Sequence, residues 1–136
     1  MVCIYCDNDT QVINSRQQKR NNQVWRRRKC MVCQAVFTSL EAADLTSGLR
    51  VEQNGVLRPF LTDYLFTEVL FAMQDRKNLY IDAREVTNTV IQQLLKSPDS
   101  PIFTPKEISR LTAEVLKRFD NRAWHRYAAE HTSVTS

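Results

Sequence analysis

Val24-Trp25-Arg26-Arg27-Arg28-Lys29-Cys30-Met31-Val32-Cys33 is the stretch on which the fold turns. It opens with a β-branched and an aromatic residue, continues through four consecutive cations, and ends in a C-x2-C pair. The same spacing occurs at Cys3-Ile4-Tyr5-Cys6, with 23 residues between the two pairs. Two residues between paired cysteines let a tight turn present both sulfurs to one ion. Two such knuckles complete the closed tetrahedral thiolate site of structural zinc. Cys3, Cys6, Cys30 and Cys33 are therefore the expected ligands of one Zn2+ per chain. Disulfides, an iron–sulfur cluster and a redox pair are the rivals. Disulfides need an oxidising compartment, and the opening MVCIYCDNDT lacks the basic start and apolar run of a secretion signal. A redox C-x-x-C normally starts a helix in a larger α/β domain.

Between and beyond the knuckles the pattern predicts short strands. Gln11-Val12-Ile13-Asn14, Val24 to Arg28, and Ala35-Val36-Phe37-Thr38 read as β runs, with Arg20-Asn21-Asn22-Gln23 as a polar turn. Knuckles joined by such strands make a zinc ribbon. Its candidate core is Val12, Ile13, Val24, Trp25, Val36 and Phe37. So few apolar residues cannot fold a module of about forty residues alone, so the metal must contribute much of the folding free energy.

Charge separates this segment from the rest. Up to Asp44 there are seven basic and four acidic residues, against twelve and eleven in the remainder. No acidic residue lies between Thr10 and Cys33. In a strand Arg26 and Arg28 point one way, Arg27 and Lys29 the other. Arginine's planar fork suits phosphates and guanine edges, and Arg16, Lys19 and Arg20 precede the run. An anionic partner, double-stranded DNA first, is expected.

The second half changes period. Arg50-Val51-Glu52 and Val56-Leu57-Arg58 flank Asn54-Gly55, a hairpin signal, and Pro59 closes the second strand. Leu65, Phe66, Val69, Leu70 and Met73 form one helical face. Val86, Val90, Ile91, Leu94 and Leu95 form another, and Ile108, Leu111, Val115, Leu116 and Phe119 a third. Asp82 with Glu85, and Thr104-Pro105 with Glu107, read as helix starts. Ser97-Pro98-Asp99-Ser100-Pro101 is a break. A last helix begins near Asp120 or Asn121, carrying Trp124 and Tyr127 as core residues. His125 and His131 lack any accompanying catalytic signature and read as surface or packing residues.

The fold class is α+β: a zinc ribbon over residues 1–44, a hairpin-plus-helical domain over 45–131, and a frayed tail over 132–136. With 136 residues the chain has room for one compact domain or two small ones. No run of about eighteen apolar residues exists, so no membrane span and a cytoplasmic location are expected. Only two glycines are present, Gly48 and Gly55, which excludes Gly-rich phosphate loops.

Several of these motifs coincide in order with one family. Cys3-x2-Cys6, Val12-Ile13-Asn14-Ser15-Arg16, Arg26-Arg27-Arg28-Lys29-Cys30, Val32-Cys33, Phe37-Thr38 and Glu41 resemble the bacterial NrdR-type repressors of ribonucleotide reductase genes. Ala123-Trp124-His125-Arg126-Tyr127-Ala128 is similar to that family's A-Y-x-R-F-A ending. The resemblance implies a zinc ribbon followed by an ATP-cone. It implies that Arg16, Arg26, Arg27 and Arg28 contact paired DNA boxes, and that the cone binds ATP or dATP to set the oligomeric state. The cone strand and turn correspond to residues 50–55, so Val51 and Gly55 are the implied nucleotide-site positions. Two departures stand out: Glu52 and Tyr64 lie where the family places lysines. An anion and a phenol in place of two cations weaken attraction for a triphosphate. The expectation is an oligomeric DNA-binding regulator, not an enzyme, with weakened or lost nucleotide sensing. The alternatives are an ATP- or dATP-responsive repressor, and a protein–protein adaptor that docks through its helical domain.

Overall fold

The computed structural model describes residues 1–97 and 99–131, with the side chain of Thr46 left aside. Pro98, in the expected break, and the expected tail over 132–136 lie outside the described residues. The chain forms two compact units, Met1–Asp44 and Leu45–Ser136.

The first unit is a three-stranded antiparallel sheet in the order β1-β2-β3. Its strands are β1 (Thr10–Gln18), β2 (Gln23–Cys30) and β3 (Val36–Glu41). All three are longer than, or shifted from, the runs read from β-propensity. Ladder pairing extends a strand through polar residues such as Arg16 and Gln17 that carry no propensity signal. The core is smaller than expected: Cys3, Cys30 and Phe37 are its buried residues. Val12, Ile13 and Val36 are exposed, and Val24 and Trp25 are half-buried. A single sheet has no second layer to cover its faces, so the metal site carries the organisation that a core would supply.

The second unit begins with a short helix α1 (Leu45–Gly48) and a hairpin of β4 (Arg50–Gln53) and β5 (Val56–Pro59). Asn54 and Gly55 both take positive φ, +55° and +76°, as the hairpin turn requires. Helices α2 (Thr62–Ala72) and α3 (Leu79–Leu95) follow, then β6 (Ile102–Phe103), α4 (Pro105–Phe119) and α5 (Asn121–Glu130). The chain returns to the hairpin through β6, which pairs parallel with β4 at Arg50–Ile102 and Val51–Phe103. Two residues are too few for a periodicity signal, so only the tertiary pairing defines this strand. Fully buried Val69, Met73, Val86, Val90, Leu116 and Tyr127 form the core between the helices. Trp124 packs against it.

Local chemistry sets the helix ends. Thr104 accepts from the Glu107 N–H at 3.2 Å while Glu107 accepts from the Thr104 N–H at 2.7 Å, a complete capping box with Pro105 behind it. Asp120 caps α5 by accepting from Arg122 and Ala123. α3 starts earlier than Asp82, after Asn78. Asp82 is instead drawn to Arg76 at 2.6 Å, and Arg76 also reaches Asp120 at 3.0 Å. That guanidinium ties the α2–α3 turn to the start of α5. Arg126 adds a second tie, to Asp75 and to the Ala72 carbonyl that ends α2.

Candidate metal centre and basic strand face

The two knuckles are drawn together by their own backbone. The Cys3 N–H donates to the Asn8 carbonyl at 2.8 Å and the Cys30 N–H to the Ala35 carbonyl at 2.9 Å, closing one loop each. Asp7 and Gln34 take positive φ, 60° and 62°, at corresponding points, one and one residue beyond Cys6 and Cys33. The Met31 N–H then crosses to the Asp9 carbonyl at 3.1 Å, binding one knuckle to the other.

The four sulfurs lie within 4.8 Å of one another. Cys3 and Cys33 Sγ are 3.6 Å apart, and Cys6 and Cys30 Sγ 3.5 Å. A tetrahedron of sulfurs about 2.3 Å from a zinc ion has edges of about 3.8 Å, so the spacing fits the ion and is far too long for S–S bonds. Backbone N–H groups of Tyr5, Val32 and Cys33 point at the sulfurs at 3.4 Å, the outer hydrogen bonds that orient thiolate ligands. The Asn8 side-chain amide donates to Cys6 at 3.3 Å and, with the Asn8 backbone, pulls that thiol down to about 6. Cys33 goes the other way. The Ala35 backbone favours its thiolate, but burial and the crowding of Cys30, Cys6 and Cys3 push it up to about 12. So many sulfurs cannot all ionise side by side without a central cation, and zinc binding must release protons. All four expected ligands are together, and their spacing suits one Zn2+.

The arginine run is split by the sheet. Cross-strand partners share a face, so Arg28 lies with Val12 and Phe37, and Arg26 with Ser15 and Ser39. On that face Arg28 donates to Ser39 at 2.9 Å and Thr10 at 3.3 Å. Arg26 donates to Ser15 at 3.1 Å and pairs with Glu41 at 3.2 Å. Both are half-buried and held within the ribbon. Arg27 and Lys29 occupy the opposite face and are exposed.

A bulge decides where Arg16 goes. The β1–β2 register shifts between Val12 and Asn14, leaving Ile13 without a partner. Without that extra residue Arg16 would stand opposite Val24, on the face of Arg26 and Arg28. With it, Arg16 pairs with Trp25, on the face of Arg27 and Lys29. The exposed face therefore carries, from the metal outward, rows of Gln11-Lys29-Val36, Asn14-Arg27-Thr38 and Arg16-Trp25-Leu40. Among the described residues Arg16, Arg27 and Lys29 have no carboxylate partner. Lys29 belongs to the basic run, but only the register shows that it joins Arg16. No sequence signal marks the bulge beyond an apolar residue, Ile13, in a polar strand.

In the second unit a cleft of about 530 Å3 opens between the hairpin, α2 and α4. Val51, Gln53, Arg58, Tyr64, Glu68 and His131 are among its lining residues. Of the two positions implied for nucleotide, Val51 lines it and Gly55 does not; Gly55 forms the turn, donating to Glu52 at 2.8 Å. Glu68 and His131 lie 3.2 Å apart at the wall; Glu68 did not stand out in the sequence, and His131 was expected to be only a surface or packing residue. Of Arg50, Arg58 and Arg126, Arg58 alone is among the lining residues, and Arg126 is committed to Asp75.

Residues 1–41 match the family model described as the N-terminal domain of NrdR-like transcriptional repressors. The match ends before the second unit. Residues 1–41 are thus similar to the zinc ribbon of NrdR-like transcriptional repressors, with four thiolates spaced for one Zn2+.

Proposed function

We propose that the chain is a transcription regulator that binds double-stranded DNA through the exposed face of its ribbon and acts as a homo-oligomer. One observation carries the reading. The bulge at Ile13 moves Arg16 to the side of Arg27 and Lys29, concentrating cations on a face where, among the described residues, no carboxylate pairs with them. A solvated strand needs no such re-phasing, whereas a polyanion rewards it. In this reading Arg16 and Arg27 meet the phosphate backbone, and Arg26 and Arg28 brace the sheet that presents them. The test is a salt titration of duplex binding by the zinc-loaded protein. Affinity should fall steeply with salt, with a log–log slope of at least about two. Binding without salt dependence, or an Arg16→Ala/Arg27→Ala protein binding as well as wild type, rejects the reading.

The nucleotide response is proposed to be weakened. The cleft offers a triphosphate one arginine, Arg58, against the carboxylate of Glu68. Glu52 is occupied in closing the turn, and Tyr64 replaces a cation by a phenol. Losing two ionic hydrogen bonds, each worth about 1.5–3 kcal/mol, weakens binding by at least about a hundredfold. Millimolar ATP or dATP should then leave Tm, oligomeric state and DNA affinity unchanged. Micromolar binding of either would restore the nucleotide-responsive reading.

A further inference from the structure

The knuckles expose more apolar surface than a metal site needs. Each C-x2-C pair places two large apolar residues at its tip: Ile4 and Tyr5, 63% and 69% exposed, and Met31 and Val32, 51% and 65% exposed. None of the four packs against the ribbon's small core, and none supplies a ligand. The sulfurs lie within 4.8 Å of one another, so both knuckles, with their tips, belong to the metal-site end of the ribbon. That end continues the basic face directly. β2 delivers Arg27 and Lys29 and then turns into Cys30, Met31 and Val32, and exposed Val36 sits opposite Lys29. The chain from Thr10 to Cys33 has no carboxylate along this route. Asp7 and Asp9 follow the first knuckle closely in sequence, so the strand cations, not this knuckle, are the groups suited to phosphate.

Resting on the DNA reading above, we propose that Ile4, Tyr5, Met31 and Val32 form the sequence-reading element of the ribbon, packing on thymine methyl groups in the major groove. Arg16, Arg27 and Lys29 hold the flanking phosphates. Charge complementarity selects DNA as the occupant: the apolar end is continuous with a cationic track, and a groove floor framed by phosphates presents apolar methyls beside anions. The division of labour also explains why the cations lie along the strands and not at the tips.

The test uses the full chain loaded with zinc, a duplex selected by it from a random pool, and a scrambled duplex of equal length. Replacing thymines of the selected site by uracil removes only the methyl groups. Wild-type affinity should fall by at least about tenfold for the sensitive positions. Met31→Ser/Val32→Ser and Ile4→Ser/Tyr5→Ser proteins, with zinc content checked, should lose a similar factor on the selected duplex and little on the scrambled one. Their salt slope should be unchanged, and uracil should cost them nothing further. Indifference of the wild type to uracil overturns the proposal whether or not the variants fold. So do variants that bind the selected duplex as tightly as wild type, which would hand the tips to a protein partner. Equal losses on both duplexes with a shallower salt slope overturn it as well. Failure of the underlying DNA reading is separate: the wild type would then show no salt-dependent binding to any duplex.

Discussion

Arg26 and Arg27 are adjacent and chemically identical, yet the sheet gives them different work. Arg26 spends its guanidinium on Ser15 and Glu41, while Arg27 stands free on the other face among the described residues. Arg27→Ala should therefore reduce the salt slope of DNA binding by about one. Arg26→Ala should leave that slope in place and cost stability of at most about 1 kcal/mol, the range of exposed pairs. Slopes measured for the two variants over the same salt series decide between this division and a contact by the whole run. Cys30→Ser is a harsher change. It removes a ligand that is also one of the ribbon's buried core residues, so zinc should be lost and residues before Asp44 should become protease-sensitive while the helical unit stays intact. Metal analysis and limited proteolysis report both. The ligands and the arginines were legible in the sequence because spacing and charge need no register. Which cations share the free face was not, since one unpaired residue, Ile13, reverses the faces of everything after it in β1.

Among the elements, α4 was the most legible because its start is written in local chemistry. The capping box read from Thr104, Pro105 and Glu107 is formed as expected. Thr104→Ala should cost about 1 kcal/mol in urea unfolding of the helical unit. Tyr127 in α5 is fully buried, its hydroxyl makes no well-formed hydrogen bond among the described residues, and burial pushes its phenol up to about 12 against the weaker pull of Ser109 and Thr112. Tyr127→Phe should leave Tm unchanged or raise it, since it removes only an unpaired polar atom. A lower Tm would show that the hydroxyl is bonded. Asp82 shows the limit of such signals. Its spacing to Glu85 looks like a cap, but an arginine six residues upstream offers a stronger partner than a helix N–H.

Taken as a molecule, the chain combines a unit stabilised by a metal with one stabilised by a core. A chelator should unfold Met1–Asp44 and leave most helical signal in far-UV circular dichroism, because the helices lie beyond residue 44. Acid should act on the helical unit through its paired carboxylates. Hydrogen bonding and charge from Arg126 hold Asp75 down at about 2. Asp120 is also held low, as Arg76 and the N–H groups of Ala123 and Arg122 outweigh its burial, and the Thr104 N–H does the same for Glu107. Depressed pKa values mean stability that is complete above the ordinary carboxylate range and is lost as pH falls through the folded values. The helical unit should therefore hold down to about pH 4 and lose stability towards about 2. Arg126→Ala should move the loss to higher pH in a circular-dichroism titration. None of the described helices is long and apolar enough to cross a membrane.

The sequence by itself determined the metal ligands, the two kinds of secondary structure and the cap at Thr104, because each rests on residues within a few positions of one another. Cysteine spacing, a 3.6-residue period and a Thr-x-x-Glu cap are local instructions. Tertiary structure decided the rest. β6 exists only because β4 lies beside Ile102 and Phe103, and the cleft forms only where the hairpin faces α2 and α4. The cationic face exists only because a bulge sets Arg16 beside Arg27 and Lys29. Each of these depends on which residue lies opposite which across the chain, and pairing of that kind is fixed by the packed fold, not by the neighbours in sequence.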